Sequence, residues 1–359
     1  MAKWRICLIT ILGLTFPVAA ADRPAQTLQP AGTTVLFAQV LDWLDDRHFA
    51  VGRWDGSITL FRTPHQGEFG PIITQALSEP TGASVEMLVR FDKSTFVTSD
   101  GRSALAVWRR AGTVESGSGF TLAESPSYDG SLGPANSGLA VTISNTRYLV
   151  TGHENGSIAL WVKGSGGFTI AKVISLKSPD APANPWGLRN IRCLAVWRSD
   201  VLITGSEDGD LVGLHLPDLK EVFRVRYNKA AQRGINSISV VDNWLLVANC
   251  AVGSADKNLW LFDLKSGRPE LSDAEDLALD TFRSQVFDFD ADLAKEDSKI
   301  LFFSSTEEGL IWMGDIESGQ LIITGVTKSS PEGGSIMAVS PSGDLLAAAT
   351  YALRLFRLR

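Results

Sequence analysis

Apolar and polar residues alternate with a period of two along most of this chain, in short runs broken by turn-forming pairs. The clearest instance is TGHENGSIALW, Thr151 to Trp161. It is an alternating run, a polar turn at Asn155-Gly156, and a second run carrying Ile158, Leu160 and Trp161. Asn-Gly between two such runs predicts a β-hairpin, because both central turn positions need positive φ. The phrase recurs: Phe49 to Phe61 turns at Asp55-Gly56, Phe96 to Trp108 at Asp100-Gly101, and Val201 to Leu216 at Asp208-Gly209. A fifth copy lengthens its turn between Trp244–Cys250 and Leu259–Leu264. A sixth, Ile300 to Ile316, turns at Glu308-Gly309, and a seventh, Leu345 to Leu358, has Tyr351 in place of the glycine.

Further alternating segments precede the hairpins, among them Cys193–Trp197, Ser237–Val241, Phe287–Ala291 and Met337–Asp344. Others follow them, such as Gly70–Leu77 and Gly167–Leu176. Successive turn glycines at 56, 101, 156 and 209 stand 45, 55 and 53 residues apart. Four antiparallel strands per unit at that spacing is the pattern of a β-propeller, whereas a helical solenoid would show a period of 3.6. The expectation is an all-β chain: one seven-bladed β-propeller of four-stranded antiparallel blades over residues 22–359. The last copy stops in its third strand. A segment around Ala25 to Gln29 is therefore expected to supply the missing outer strand and close the ring, which removes open sheet edges.

The units resemble divergent WD repeats, most clearly in SPSGDLLAAATYALRLFRL (Ser340 to Leu358) and in TGHENGSIALW; Thr27 to Phe61 can be laid over a whole repeat. The resemblance covers essentially all of the chain after residue 21, implies the propeller fold, and says little about function. No Gly-His pair opens the units. The Trp-Asp dipeptide is missing from the ends of the third strands, where Arg109 follows Trp108 and Val162 follows Trp161, although Asp263 and Asp315 keep an acid nearby. The hydrogen-bonded tetrad that the resemblance implies is thus expected to give way to packing.

Residues 1–21 read as a signal peptide of bacterial type: Lys3 and Arg5, an apolar run from Ile6 to Phe16, and Ala19-Ala20-Ala21 before Asp22. The mature chain is expected to begin near Asp22 and to be exported, to the periplasm or beyond the cell. No later stretch reaches 18 uncharged apolar residues, so no membrane span is expected. A net charge of -7 leaves no basic surplus to replace phosphate counterions, which argues against a nucleic-acid partner. Cys193 and Cys250 remain after the signal peptide, as one disulfide or as two small buried hydrophobes, the second being favoured; they are too few for a thiolate zinc site.

Candidate chemistry is sparse. His48, His65, His153 and His215 share no metal-ligand spacing, and no G-x-S-x-G elbow accompanies serines such as Ser157. His153 beside Glu154 reads as turn polarity rather than an acid/base pair. Asp42, Asp45 and Asp46 read as a solvated turn, since the D-x-D-x-D-G calcium pattern is not met. The turn itself explains the Asn155-Gly156-Ser157 glycosylation sequon, and Asp273 to Asp280 reads as a solvated acidic insertion. Arg189, Arg233 and Arg283 precede three successive inner strands in nearly one register, which predicts arginines gathered on one face near the central opening. Trp186 and Tyr227 lie in the same connecting loops and are the amphipathic kind of side chain that interfaces favour. The competing reading pairs each arginine with a local acid. No catalytic residue, metal ligand or cofactor is assigned. The expected function is an exported, monomeric, non-catalytic scaffold that binds a protein partner or an acidic component of the cell envelope through that face. The alternative is an exported propeller enzyme, a lactonase-like hydrolase or a quinone-dependent dehydrogenase. It would need acids on the axis, where Asp288 and Asp290 are the pair that can be placed.

Overall fold

The second strand of each unit is too apolar to face water on either side. Phe49, Ala50 and Val51 are all fully buried, as are Leu245, Leu246, Val247 and Ala248. Such strands need a neighbouring sheet on both faces. The computed structural model meets that need with a closed ring of sheets. It describes residues 26–28, 37–65, 71–78, 81–111, 119–177, 189–227, 234–249, 257–277, 289–306, 309–328, 336–349 and 352–358. Within them, seven antiparallel sheets of four strands follow one another, and the inner strand of each touches the inner strands of both neighbours. Blades 1 to 6 each take four strands in sequence order, from inner to outer. Blade 7 is built from both chain ends: Gln26–Leu28 pairs antiparallel with Arg354–Arg357, with Thr27 opposite Phe356.

The core is seven seams rather than one centre. Alternate residues of a strand point to opposite faces, so Phe49 and Val51 pack toward blade 7 while Ala50 packs toward blade 2. Likewise Leu245 and Val247 face blade 4, and Leu246 and Ala248 face blade 6. Each large apolar side chain buried in a seam contributes about 1.5–3 kcal/mol, and the closed ring leaves no terminal blade exposed. The seams are tight where a glycine is the next-to-last residue of a second strand. A Cβ on Gly152 would stand 2.6 Å from Ile191 Cγ2 and 2.5 Å from Ser137 Oγ. Gly152→Ala is expected to lower stability by about 1–3 kcal/mol through overpacking, measured as a shift in the urea midpoint.

Three local readings change. Asp273–Glu275 is not in an insertion but in the outer strand of blade 5, Glu270–Glu275. Outer strands meet water on one face, so acids are tolerated there, and Asp273 accepts the Leu321 N–H of blade 6 at 2.8 Å. The inner strand of blade 6 is Phe289–Glu296, later than its alternation suggested. His153 is not turn polarity. It ends the second strand of blade 3, Thr146–His153, fully buried.

His153 belongs to a hydrogen-bonded chain. Trp161 Nε1–H donates to Thr151 Oγ1 at 2.8 Å, and Thr151 Oγ1 lies 2.8 Å from His153 Nε2. His153 Nδ1 lies 3.2 Å from the Gly133 carbonyl. A carbonyl only accepts, so Nδ1 carries the proton and Nε2 accepts from the threonine. Burial holds the imidazole pKa below its ordinary value and keeps the ring neutral. Blade 2 keeps the first link, Trp108 Nε1 to Thr98 Oγ1 at 3.0 Å. Hydrogen bonding therefore persists in these two blades beside packing.

Candidate partner-binding face

In blades 1 to 4 the turn between the second and third strands is tied back to the segment leading into the inner strand of its own blade. Trp54 N–H donates to Phe37 O, Gly101 N–H to Ser84 O, Glu154 N–H to Pro134 O and Glu207 N–H to Asn190 O, at 2.9–3.1 Å. These turns and the inner-strand starts therefore share one face of the ring. Five inner strands carry a bulge at their first turn, which inserts Gln39, Glu86, Asn136, Arg192 and Asn236. A bulge re-aims its extra side chain, so half-buried polar groups surround the mouth of the axial channel. Reading by sequence missed them because A-Q-V, V-E-M, A-N-S, I-R-C and I-N-S pass for ordinary alternation. On the same face Trp54 is 64% exposed and Phe37 55%.

Arg189 stands two residues before the inner strand of blade 4, Ile191–Trp197, in a small cleft between blades 3 and 4. Lys177, Arg224, Asp208 and Asp210 share the cleft. Asp210 accepts from Arg224 Nη1 at 3.2 Å and Arg226 Nε at 2.8 Å, and Arg224 Nη2 also reaches Glu221 at 2.8 Å. Burial pushes the Asp208 carboxyl up, and the nearby Arg189 charge draws it back down. Arg192 pairs with Glu207 at 3.3 Å. Tyr227 is half-buried in the next seam, its ring centroid 4.9 Å from that of Trp260, its hydroxyl donating to Asn249 Oδ1 at 3.3 Å. Arg233, Arg283 and Trp186 lie outside the described residues. The cations gathered around Arg189 are Lys177, Arg224 and Arg226, all from blades 3 and 4.

The axis holds acids of a different kind. Asp42, Asp290 and Asp292 stand on inner strands, and each accepts a backbone N–H from the inner strand of the next blade. The donors are Arg90 at 3.4 Å, Met337 at 2.9 Å and Val339 at 3.0 Å. Burial in the narrow channel wall pushes Asp42 up to about 7 and Asp290 up to about 6, with the charge of Asp292 raising both further. Their geometry is that of staples between blades. Asp288 lies outside the described residues. No group of three or more His, Cys, Asp or Glu among the described residues is arranged to hold a metal ion.

The remaining sequence candidates are scattered. Asp45 is turned away from Asp42 to bind His48 Nδ1 at 2.9 Å and Arg110 at 3.4 Å. Burial raises its carboxyl, yet His48 and the Arg47 N–H outweigh that and hold it well below the carboxylate range. Asp42, Asp45 and Asp46 thus form no common cation site. His215 pairs with Asp218 at 3.1 Å. Asn155 spends its side chain within the turn, donating to Ser131 O and accepting from Ser157 N, each at 2.9 Å. Cys193 is a free, buried thiol in the seam of blades 4 and 5, its pKa pushed up by burial; Cys250 lies outside the described residues.

No family model and no curated protein matches the sequence. Solved structures do match. A chain of the mitotic checkpoint complex aligns at TM-score 0.66 and 14% identity over 99% of both chains. The Cps50 (Swd1) β-propeller domain of Myceliophteria thermophila aligns at TM-score 0.66 and 12% identity, over 94% of this chain and 100% of that one. At such identities the likeness is one of architecture, and on that evidence the chain is a seven-bladed β-propeller.

Proposed function

We propose that this chain is an exported, non-catalytic interaction scaffold that docks an acidic protein partner on the face carrying Arg189. The observation that carries the reading is the cationic group Lys177, Arg189, Arg224 and Arg226 on the rim of a chain whose net charge is -7. Exposed Trp54 and Phe37 on the same face add apolar anchors. Arg233, Arg283 and Trp186, outside the described residues, remain candidates from the sequence alone, and Tyr227 supports the face from the seam. One structural neighbour comes from a multiprotein complex, which is in keeping with a scaffold role. The axial acids favour the enzyme reading least where they are best defined, because backbone N–H groups already occupy them.

Affinity capture with the whole chain, compared with Arg189→Ala, tests the face. The variant is expected to lose an acidic partner and much of the salt dependence of capture, since exposed charge attraction is screened by salt, while its melting temperature stays unchanged. A lower melting temperature with capture unaltered would mean that Arg189 serves the fold. Export is tested separately by intact mass of the native protein, expected to match a chain beginning near Asp22; soluble protein retaining residues 1–21 would refute it.

A further inference from the structure

Blades 3 and 4 repeat one phrase, Val150-Thr151-Gly152-His153 and Ile203-Thr204-Gly205-Ser206, in the same register: Thr151 stands opposite Ala159 and Thr204 opposite Val212. In blade 3 the threonine hydroxyl links the Trp161 indole to the His153 imidazole. In blade 4 those two places hold Leu214 and Ser206, and Thr204 Oγ1, 0% exposed, has no hydrogen-bond partner. The missing rings coincide with the cleft beside Arg189. Thr204 and Ser206 line its buried end, and half-exposed Arg189 and exposed Lys177 line its mouth. Asp208 Oδ1, in a residue 6% exposed, also lines the cleft without a partner. Buried polar atoms are nearly always paired, and here the same threonine is paired in one blade and orphaned in the next.

The charges say what would pair the threonine. Arg224 and Arg226 are held by Asp210, but the Lys177 ammonium and the Arg189 guanidinium make no hydrogen bond or ion pair with a described side chain. We propose that this cleft is a socket for a carboxylate, presented by an acidic side chain or a chain terminus of a protein partner. Arg189 and Lys177 take the charge at the mouth, and the Thr204 hydroxyl donates to the carboxylate at the buried end. Asp208 Oδ1 lines the same cleft, and burial raises its carboxyl, which lessens its repulsion of a second carboxylate there. This socket rests on the docking face proposed above and narrows it to one seam.

The test uses the whole chain and fluorescently labelled peptides: hexa-aspartate with an amidated end, hexa-asparagine with an amidated end, and hexa-asparagine with a free carboxylate. Binding of either acidic peptide over the neutral one is expected, and which of the two binds distinguishes a side chain from a chain terminus. The double variant Ser206→His with Leu214→Trp rebuilds the blade 3 chain in blade 4 and fills the socket while keeping both mouth cations. It is expected to weaken binding at least tenfold. Thr204→Val, which changes one buried atom, keeps the question answerable if the double variant does not fold; a loss of threefold or more with an unchanged melting temperature is expected. Equal binding of all three peptides, or wild-type affinity in both the filled and the Thr204→Val proteins, overturns the socket. Partner capture that still depends on Arg189 in that event leaves the docking face standing without it.

Discussion

Thr151→Val is expected to destabilise the protein by about 3 kcal/mol, whereas Thr204→Val, the same change at the same place one blade on, is expected to cost less than about 0.5 kcal/mol. Valine copies the shape of threonine, so neither change opens a cavity, and the difference isolates the hydroxyl. In blade 3 its loss strands two groups at once, the Trp161 Nε1–H and the His153 Nε2, both deep in the seam of blades 2 and 3. Each buried group left unpaired costs about 1–3 kcal/mol. In blade 4 the hydroxyl has no partner to strand, and replacing an orphaned polar group with a methyl is close to neutral. Urea midpoints of the two variants decide it. Equal shifts would show that the Thr151 hydroxyl does not connect the tryptophan to the histidine.

The same two blades mark how far the sequence could be read. Hairpins were legible because their signals are local. Gly56, Gly156, Gly209 and Gly309 adopt positive φ, but Asp55, Asn155 and Asp208 before them do not. Only one of the two expected central positions is therefore left-handed, and in blade 2 it is Ser103 rather than Gly101. The ring was legible from their repetition. The site was not, because what surrounds a side chain in a propeller is set by the seams. Arg189 meets Lys177 and Leu176 only once blades 3 and 4 fold against each other. His153 was read as part of its turn, but the strand runs one residue further and the imidazole faces inward to Thr151 and Gly133. Asp42 stood beside Asp45 and Asp46 in the sequence and so looked like turn polarity. It is the fifth residue of the inner strand Ala38–Trp43, and its partner is a backbone N–H on blade 2. The axial acids of blade 6 alternate as Asp290 and Asp292, which was a visible period-two signal. Asp290 was placed from that signal and Asp292 was missed, while Asp288, which continues the same alternation, lies outside the described residues.

Asp42→Asn is expected to gain about 1 kcal/mol more stability over wild type at pH 8 than at pH 5. Burial in the channel wall raises the Asp42 carboxyl from 3.8 to about 7, so the native chain holds this proton more tightly than the unfolded chain. Its contribution is fully present below pH 3.8 and is lost as pH rises through about 7, where an ionised carboxylate must be kept in the channel near Asp292. At 1.36 kcal/mol per pKa unit a shift of this size is worth on the order of 4 kcal/mol. Partial exposure at the channel wall brings this to about half, of which about 1 kcal/mol falls between pH 5 and pH 8. Asp42 Oδ2 accepts the Arg90 N–H and Oδ1 the Trp43 N–H, so asparagine keeps one of the two acceptors, a loss common to both pH values, and never carries the charge. Asp290 adds a term of the same sign. His153 opposes them: its depressed pKa makes stability fall as pH drops below 6.5. Asp45, held low, contributes stability that is lost only as pH falls below 3.8. Those terms are common to both proteins and cancel in the comparison, so urea midpoints of wild type and Asp42→Asn at pH 5 and pH 8 isolate the axial carboxyl. A gap of equal size at both pH values would show that Asp42 carries the same charge at pH 5 as at pH 8, and that its effect on stability comes from hydrogen-bond geometry alone.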